Sequence, residues 1–200
     1  MQGRSEYGQI ALGTYTLQDS LMLHRHAAPQ WRTRYLGPLV AGEIIPSFAM
    51  TEPDVASSDP TQLQTTASLD NGRWTINGRK WFTTGAGDAE YTTVMCRTES
   101  DAPRHECFSM IIVPTNTRGY RIVRETPLFG IPGGHWEVEY DNVQVPQDNL
   151  LGPRGAGFAI AQQRLGPGRI FHCMRWLGVS RKCTRSSNRP CAPRYHRTWT

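Results

Sequence analysis

Between residues 43 and 153 the chain repeats one pattern: a short run of β-branched, aromatic and aliphatic residues, closed by a turn-forming pair. EIIPSFAM, LQTTASL, RWTI, RKWFTT, YTTVMC, CFSMIIV, YRIVRE and HWEVEY follow one another with little between them. Runs this short suit strands, whose side chains alternate between two faces with a period of two. Asn71-Gly72 and Asn77-Gly78 both tolerate positive φ and are hairpin signals, and Asn77-Gly78 is expected to join two strands through a type I′ turn. The pattern predicts a largely antiparallel β domain over 43–153, a barrel or a sandwich, within an α+β chain.

Helical signals flank it. Residues 17–26 and 29–36 show partial helical periodicity, with Trp31 and Tyr35 four apart and therefore on one face. Pro38 and Gly42 limit the second piece. Downstream, Phe158, Ala161 and Leu165 can share one face of a short helix, which Gly166-Pro167 is expected to stop before helix resumes over 169–179. Six Trp, seven Tyr and six Phe in 200 residues exclude a wholly disordered chain. No apolar run is long enough to span a bilayer, and the first twenty residues lack the order of a secretory signal, with Glu6 and Asp19 ill-suited to a mitochondrial presequence. The expectation is a soluble intracellular protein; mitochondrial, peroxisomal and cytoplasmic locations are not distinguished. Cys96, Cys107, Cys173, Cys183 and Cys191 are scattered and odd in number, which suits buried thiols in a reducing compartment.

The net charge of +5 comes from one end. Arg181, Lys182, Arg185, Arg189, Arg194 and Arg197 lie in residues 181–200 with no acidic residue, and without them the charge is −1. Such a segment could neutralise phosphates, with Tyr195 or Trp199 stacking on bases. Its Pro and Ser content and lack of period suit an unstructured extension better, and no nucleic-acid partner is expected. Cys183, Cys191 and His196 supply three potential metal ligands at spacings unlike a zinc finger's, so no metal site is expected.

FAMTEPDVASSD, residues 48–59, closes an apolar run with a threonine, a carboxylate and a proline. Composition alone reads it as a strand end and a turn; its hydroxyls and closely spaced backbone N–H groups would also suit an oxygen-rich ligand. Trp81 and Phe82 read alone are alternating strand residues, and Arg79 and Lys80 are expected to be solvated.

Four segments together, QWRTRYLGPLVAGEIIPSFAMTEPDVASSD (30–59), NGRWTINGRKWFTTGAG (71–87), SMIIVPTNTRGYRI (109–122) and YDNVQVPQDNLLGPRGAGFAIAQQRLGPGRIFHCMRWLG (140–178), resemble the acyl-CoA dehydrogenase family. The resemblance implies residues 1–42 as the remnant of an N-terminal helical domain, 43–153 as the middle β domain, 154–180 as the start of a C-terminal helical domain, and 181–200 as a basic, unstructured tail. It implies FAD as cofactor, an acyl-CoA thioester as substrate and a homo-oligomer in the intact family. Phe48, Met50 and Thr51 would flank and hydrogen-bond the isoalloxazine, and Ser57 and Ser58 would approach the pyrophosphate and the pantetheine side of the thioester. Trp81, Phe82 and Thr83 would cover the ring and reach its edge, while Arg169 would meet the coenzyme A portion through its planar donor fork. Arg104, outside these motifs, is expected to matter little.

The sequence also departs from the family. A His-Gly-His expected after a longer polar segment is reduced to Gly134-His135-Trp136, and no Asp or Glu follows Asp148. The family's glutamate base therefore has no counterpart in residues 149–200, so no catalytic residue is assigned and an incomplete, inactive fragment is expected, its end reflecting a frame or splicing change. The alternative is a non-catalytic acyl-CoA- or protein-binding module with a basic tail.

Overall fold

The computed structural model describes residues 14–187 other than 129, 131 and 133. The chain divides into two compact units, Thr16–Leu165 and a second made of its two ends, to which Gly166–Thr200 belongs.

The first unit opens with α1 (Thr14–His26, from Thr16 onward), α2 (Pro29–Trp31), a π-helical turn (Arg32–Leu36) and α3 (Gly37–Ala41), which Gly42 ends in the left-handed region at φ 77°. The Trp31 and Tyr35 rings stack at 5.6 Å, and Tyr35 stacks in turn on Tyr91 at 4.4 Å. This seats the helical segment on the sheet, and Trp31 Nε1 donates to the Asp148 carbonyl at 2.8 Å.

The sheet comprises β1 (Pro46–Ala49), β2 (Thr66–Asp70), β3 (Arg73–Thr84), β4 (Tyr91–Arg97), β5 (Phe108–Pro114), β6 (Tyr120–Glu125), β7 (His135–Pro146) and β8 (Leu150–Leu151). Its order is β6-β7-β3-β1-β4-β5-β8, and β2 pairs with both β3 and β4. The fold is thus a mixed α+β one. Most ladders are antiparallel, but β1 runs parallel to β4, as does the single pair Thr66–Arg97 between β2 and β4.

β4 and β5 are buried on both faces, and their alternation separates two cores. Tyr91 and Met95 of β4, with Phe108, Met110 and Ile112 of β5, face the helical segment around Met22, Leu23 and Leu39. Val94, Cys96, Ile111 and Val113 face the opposite way, onto Trp74, Ile76, Val138 and Tyr140.

Two expectations are corrected here. Asn77-Gly78 makes no turn: β3 runs unbroken from Arg73 to Thr84, and the β2–β3 hairpin turns at Asn71-Gly72 with φ of 46° and 72°. The ladder instead shifts register between Ile76–Val143 and Gly78–Tyr140, where β7 carries the extra residue and Asn142 sits at φ 49°. Gly78 is needed for a close approach, since a Cβ there would lie 2.5 Å from Thr65 Oγ1.

The second correction concerns α4 (Gly157–Ser187), which contains Pro167 and passes the expected stop at Gly166-Pro167 and the expected boundary at residue 180. A proline removes one helical N–H and crowds one carbonyl, a local cost that the neighbouring turns can outweigh. The rest of the basic segment, with Cys191 and His196, lies outside the described residues, as do residues 1–13. Cys96 and Cys107 are buried free thiols, whereas Cys173 and Cys183 are exposed. Among the described residues no helix is long and apolar enough to cross a membrane.

Gly78→Ala, which combines a φ of +147° with a clash against Thr65 backbone and side chain, is expected to destabilise the β domain by about 1–3 kcal/mol. Urea unfolding followed by tryptophan fluorescence checks this; a midpoint unchanged from the unaltered chain would show that Thr65 can retreat.

Candidate functional site

Where β1 leaves the sheet, the chain enters the FAMTEPDVASSD stretch beside the far end of β3. The β1–β3 ladder amounts to the pair Phe48–Thr84. Beyond it Thr51 takes over: its hydroxyl donates to the Trp81 carbonyl at 2.7 Å and its carbonyl accepts from the Trp81 N–H at 3.0 Å. On the other side Ser47 Oγ donates to the Thr84 carbonyl at 2.9 Å.

At this point β3 bulges. Lys80 faces Val138 and Thr83 faces Trp136, so Trp81 and Phe82 together oppose Glu137. Phe82 takes φ +47°, in the left-handed region where a bulky side chain is strained, and the residue is 39 % exposed. The ring lies 4.8 Å from that of Trp81 and 6.3 Å from His135, whose Nδ1 is 2.9 Å from Thr84 Oγ1. Thr83 is fully buried and its hydroxyl has no hydrogen-bond partner among the described residues.

Facing the bulge, the buried Glu137 carboxylate pairs with Arg79 of β3 and Arg124 of β6. The Arg124 hydrogen bond holds its pKa below the ordinary value against the effect of burial, with Arg79 adding to it. Lys80 is completely buried, contrary to the expectation of solvation. Its Nζ donates to the Met50 carbonyl at 2.9 Å and to Glu52 Oε1 at 2.8 Å, and Glu52 also accepts from the backbone N–H groups of Gln64 at 2.6 Å and Thr65 at 2.9 Å. Burial alone would raise the Glu52 pKa, but the Lys80 charge and these hydrogen bonds bring it below the usual value. Burial draws Lys80 down, against the attraction of Glu52. Cys96, buried nearby, has its thiol pushed up to about 12 by desolvation.

The residues singled out from sequence fall into three groups. Phe48, Met50, Thr51, Trp81, Phe82 and Thr83 come together at this junction of β1 and β3. Phe48 is half-buried there with the Arg164 guanidinium 4.0 Å from its ring centroid, and Arg164 is held by both oxygens of the buried Asp19. Ser57 and Ser58 lie farther along the loop: Ser57 Oγ is 3.4 Å from both the N–H and the carbonyl of Glu52, and Ser58 is exposed. Arg169 is an exposed residue of α4 in the second unit.

Arg104 does not stand apart as expected. It pairs with Asp59 and with the Thr61 hydroxyl, joining the 98–107 loop to the end of the same stretch. Hydrogen bonds from Thr61 and Gln62 take the Asp59 pKa to about 2. Sequence reasoning also missed Lys80, Glu52, Thr84, His135 and the Asp19–Arg164 pair. For Lys80 a signal existed, since it lies in phase with the buried Trp74 and Ile76.

Residues 47–143 match the acyl-CoA dehydrogenase middle-domain family. A Mycobacterium tuberculosis protein named Probable acyl-CoA dehydrogenase FadE2 is 52 % identical over 165 residues, 80 % of this chain and 40 % of that protein. A solved structure described as that of a putative acyl-CoA dehydrogenase from Mycobacterium abscessus superposes with a TM-score of 0.79 at 40 % identity, covering 88 % of this chain and 46 % of the other. A structure described as the FAD complex of PigA gives a TM-score of 0.70 at 28 % identity, covering 76 % of this chain and 40 % of that one. The chain thus spans less than half the length of these relatives.

The Glu52 pairing predicts an acid limb to stability. A carboxyl whose folded pKa lies below its ordinary value of 4.5 contributes fully above that value and loses the contribution as pH falls through the folded one. Urea midpoints measured downward from neutral pH are therefore expected to fall below about pH 4.5, and Glu52→Gln is expected to flatten that slope. An identical pH profile in the variant would assign the acid limb to other carboxylates, Glu137 foremost.

Proposed function

We propose, since this chain belongs to the acyl-CoA dehydrogenase family through its middle domain, that it supplies the flavin-orienting part of an FAD-dependent α,β-dehydrogenation of an acyl-CoA thioester. The observation that carries this reading is Phe82. A bulky aromatic residue is held at φ +47° on a strand bulge, with its ring exposed beside Trp81 and His135. Strain of this kind costs about 1–3 kcal/mol and persists where the surrounding structure over-determines it.

The donor set fits a flat ring with a polar edge. Trp81 and Phe82 provide apolar faces, and the Thr83 hydroxyl, without a partner among the described residues, carries a desolvation cost of about 1–3 kcal/mol that a ligand acceptor or donor would offset. FAD, when bound, supplies the hydride acceptor, which no side chain can be. Phe48, Met50 and Thr51 border the ring in this reading, and the reciprocal Thr51–Trp81 bonds keep that border in register with β3. Ser57 and Ser58 are the phosphate- and pantetheine-side hydroxyls, and Arg169 contacts coenzyme A. Removal of the α-proton needs a carboxylate that residues 149–200 do not contain, so the complete reaction belongs to the whole protein that the longer relatives represent, a homo-oligomer in this reading. Closure of the β domain into a barrel would complete the wall behind the ring. This chain alone is then expected to bind flavin without turnover.

Phe82→Gly relieves left-handed strain of about 1–3 kcal/mol while adding chain entropy of about 0.5–1 kcal/mol to the unfolded state, so stability is expected to hold or to rise by up to about 2 kcal/mol. The FAD dissociation constant, read from flavin fluorescence, is expected to rise roughly tenfold, one lost contact being worth about 1.4 kcal/mol. Thr83→Ala should weaken FAD as well. Equal affinity in both variants would remove these residues from the flavin site. Anaerobic bleaching of bound FAD by a panel of acyl-CoAs, run on this chain and on a full-length relative, tests the division of labour. Equal rates would place the base within residues 1–148.

A further inference from the structure

Lys80 stands immediately before the Trp81–Phe82 bulge on β3, and Glu52 immediately after Thr51. The β1–β3 ladder has already ended at Phe48–Thr84, so regular sheet pairing no longer fixes the distance between the two strands here. The reciprocal Thr51–Trp81 bonds and, beside them, hydrogen bonds from buried side chains to backbone replace it. Lys80 Nζ reaches across to the Met50 carbonyl and to Glu52, and Glu52 is itself fixed by the Gln64 and Thr65 N–H groups. Both charged side chains are shielded from water, with 0 % of Lys80 and 4 % of Glu52 exposed.

We propose that Lys80 and Glu52 are a positioning pair for the flavin, holding Met50 and Thr51 at a set spacing from the bulged Trp81–Phe82 segment so that the two stretches present one continuous surface to the ring. The inference rests on the flavin reading above. Both side chains are buried beneath the surface, so each acts through the backbone it grips. An apolar pair of the same size would fill the volume and would suit stability at least as well, because a buried ion pair seldom outperforms hydrophobic packing. Apolar contact is non-directional, however, and would leave the Met50 carbonyl without its donor and the spacing held by the Thr51–Trp81 bonds alone. A contact surface built from two separate stretches tolerates little such drift, since displacements near 1 Å already weaken a preorganised site.

The test separates positioning from mere stability. Lys80→Met leaves Glu52 buried without its counter-charge and is expected to destabilise the domain. In Lys80→Met/Glu52→Gln the unpaired charge is gone while one carbonyl oxygen remains for the backbone N–H groups, and the urea midpoint is expected to recover most of the loss. FAD affinity in the double variant is expected to stay about ten- to a hundredfold weaker, the range that loss of a supporting shell costs at other preorganised sites, and the visible circular dichroism of any bound flavin is expected to differ from that of the unaltered chain. A double variant that binds FAD with unchanged affinity and dichroism would overturn the inference while leaving the flavin reading intact. An unaltered chain that binds no FAD would overturn that reading first and the inference with it. Should neither variant fold, Glu52→Gln alone serves, because it weakens the hold on Lys80 while leaving the Thr51–Trp81 bonds in place: flavin affinity and dichroism unchanged from the unaltered chain would then count against the pair.

Discussion

An ammonium group removed from water needs oxygen atoms arranged around it, and the interior of this β domain is organised to provide them. Without a partner, a charge buried like that of Lys80 costs about 3–5 kcal/mol, a large share of the stability of an ordinary domain. The demand propagates outward. Glu52 must turn inward, so the chain after β1 folds back under β3. The other lone pairs of Glu52 then collect Gln64 and Thr65 at the entrance to β2. Thr65 in turn comes so close to β3 that only a glycine fits at residue 78. Three strands and the loop between them are thus placed by one ion pair and its hydrogen bonds.

What surrounds that pair separates buried from exposed positions by strand parity. Along β3 the even positions Trp74, Ile76 and Lys80 are buried, until the bulge inverts the phase and sends Thr83 inward and Phe82 outward. The inversion converts a core strand into one that presents an aromatic ring at its surface within two residues. Glu137 stabilises the irregularity from the facing strand, drawing Arg79 and Arg124 to one carboxylate. Charge and backbone geometry therefore cooperate at the place where the sheet is least regular.

The strands were legible because alternation, β-branching and aromatic content act locally, and each predicted run coincides with or overlaps a strand. The Trp31–Tyr35 pairing was legible for the same reason, being a matter of helical spacing. Asn77-Gly78 misled because the dipeptide reports permitted φ values, and a close approach by Thr65 uses the same permission as a turn does. Lys80 was misread through its residue type although its parity placed it inside; the partner that makes burial tolerable is Glu52, far from it along the chain. The mixed parallel and antiparallel pairing of β1, and the short β8, depend on contacts between distant segments that no local pattern records. Family resemblance drew attention to the stretches at 48–51 and 81–83, but the bulge that shapes their junction is visible only in the ladder.

The parallel pairing of β1 with β4 bears on how the domain assembles. Pro46 lies against Tyr91, so β1 is fixed only when the intervening hairpin of β2 and β3 has been enclosed in a loop. Closing a long loop costs entropy that rises slowly with its length, about 0.6 kcal/mol per doubling, and that cost precedes any reward from the contacts it permits. The β2–β3 hairpin can form early, from neighbours in sequence; the strand that leads into Thr51 cannot. The surface between Thr51 and Phe82 is consequently a product of the whole domain's closure, and a peptide carrying either motif alone would contain the residues of the site without its geometry.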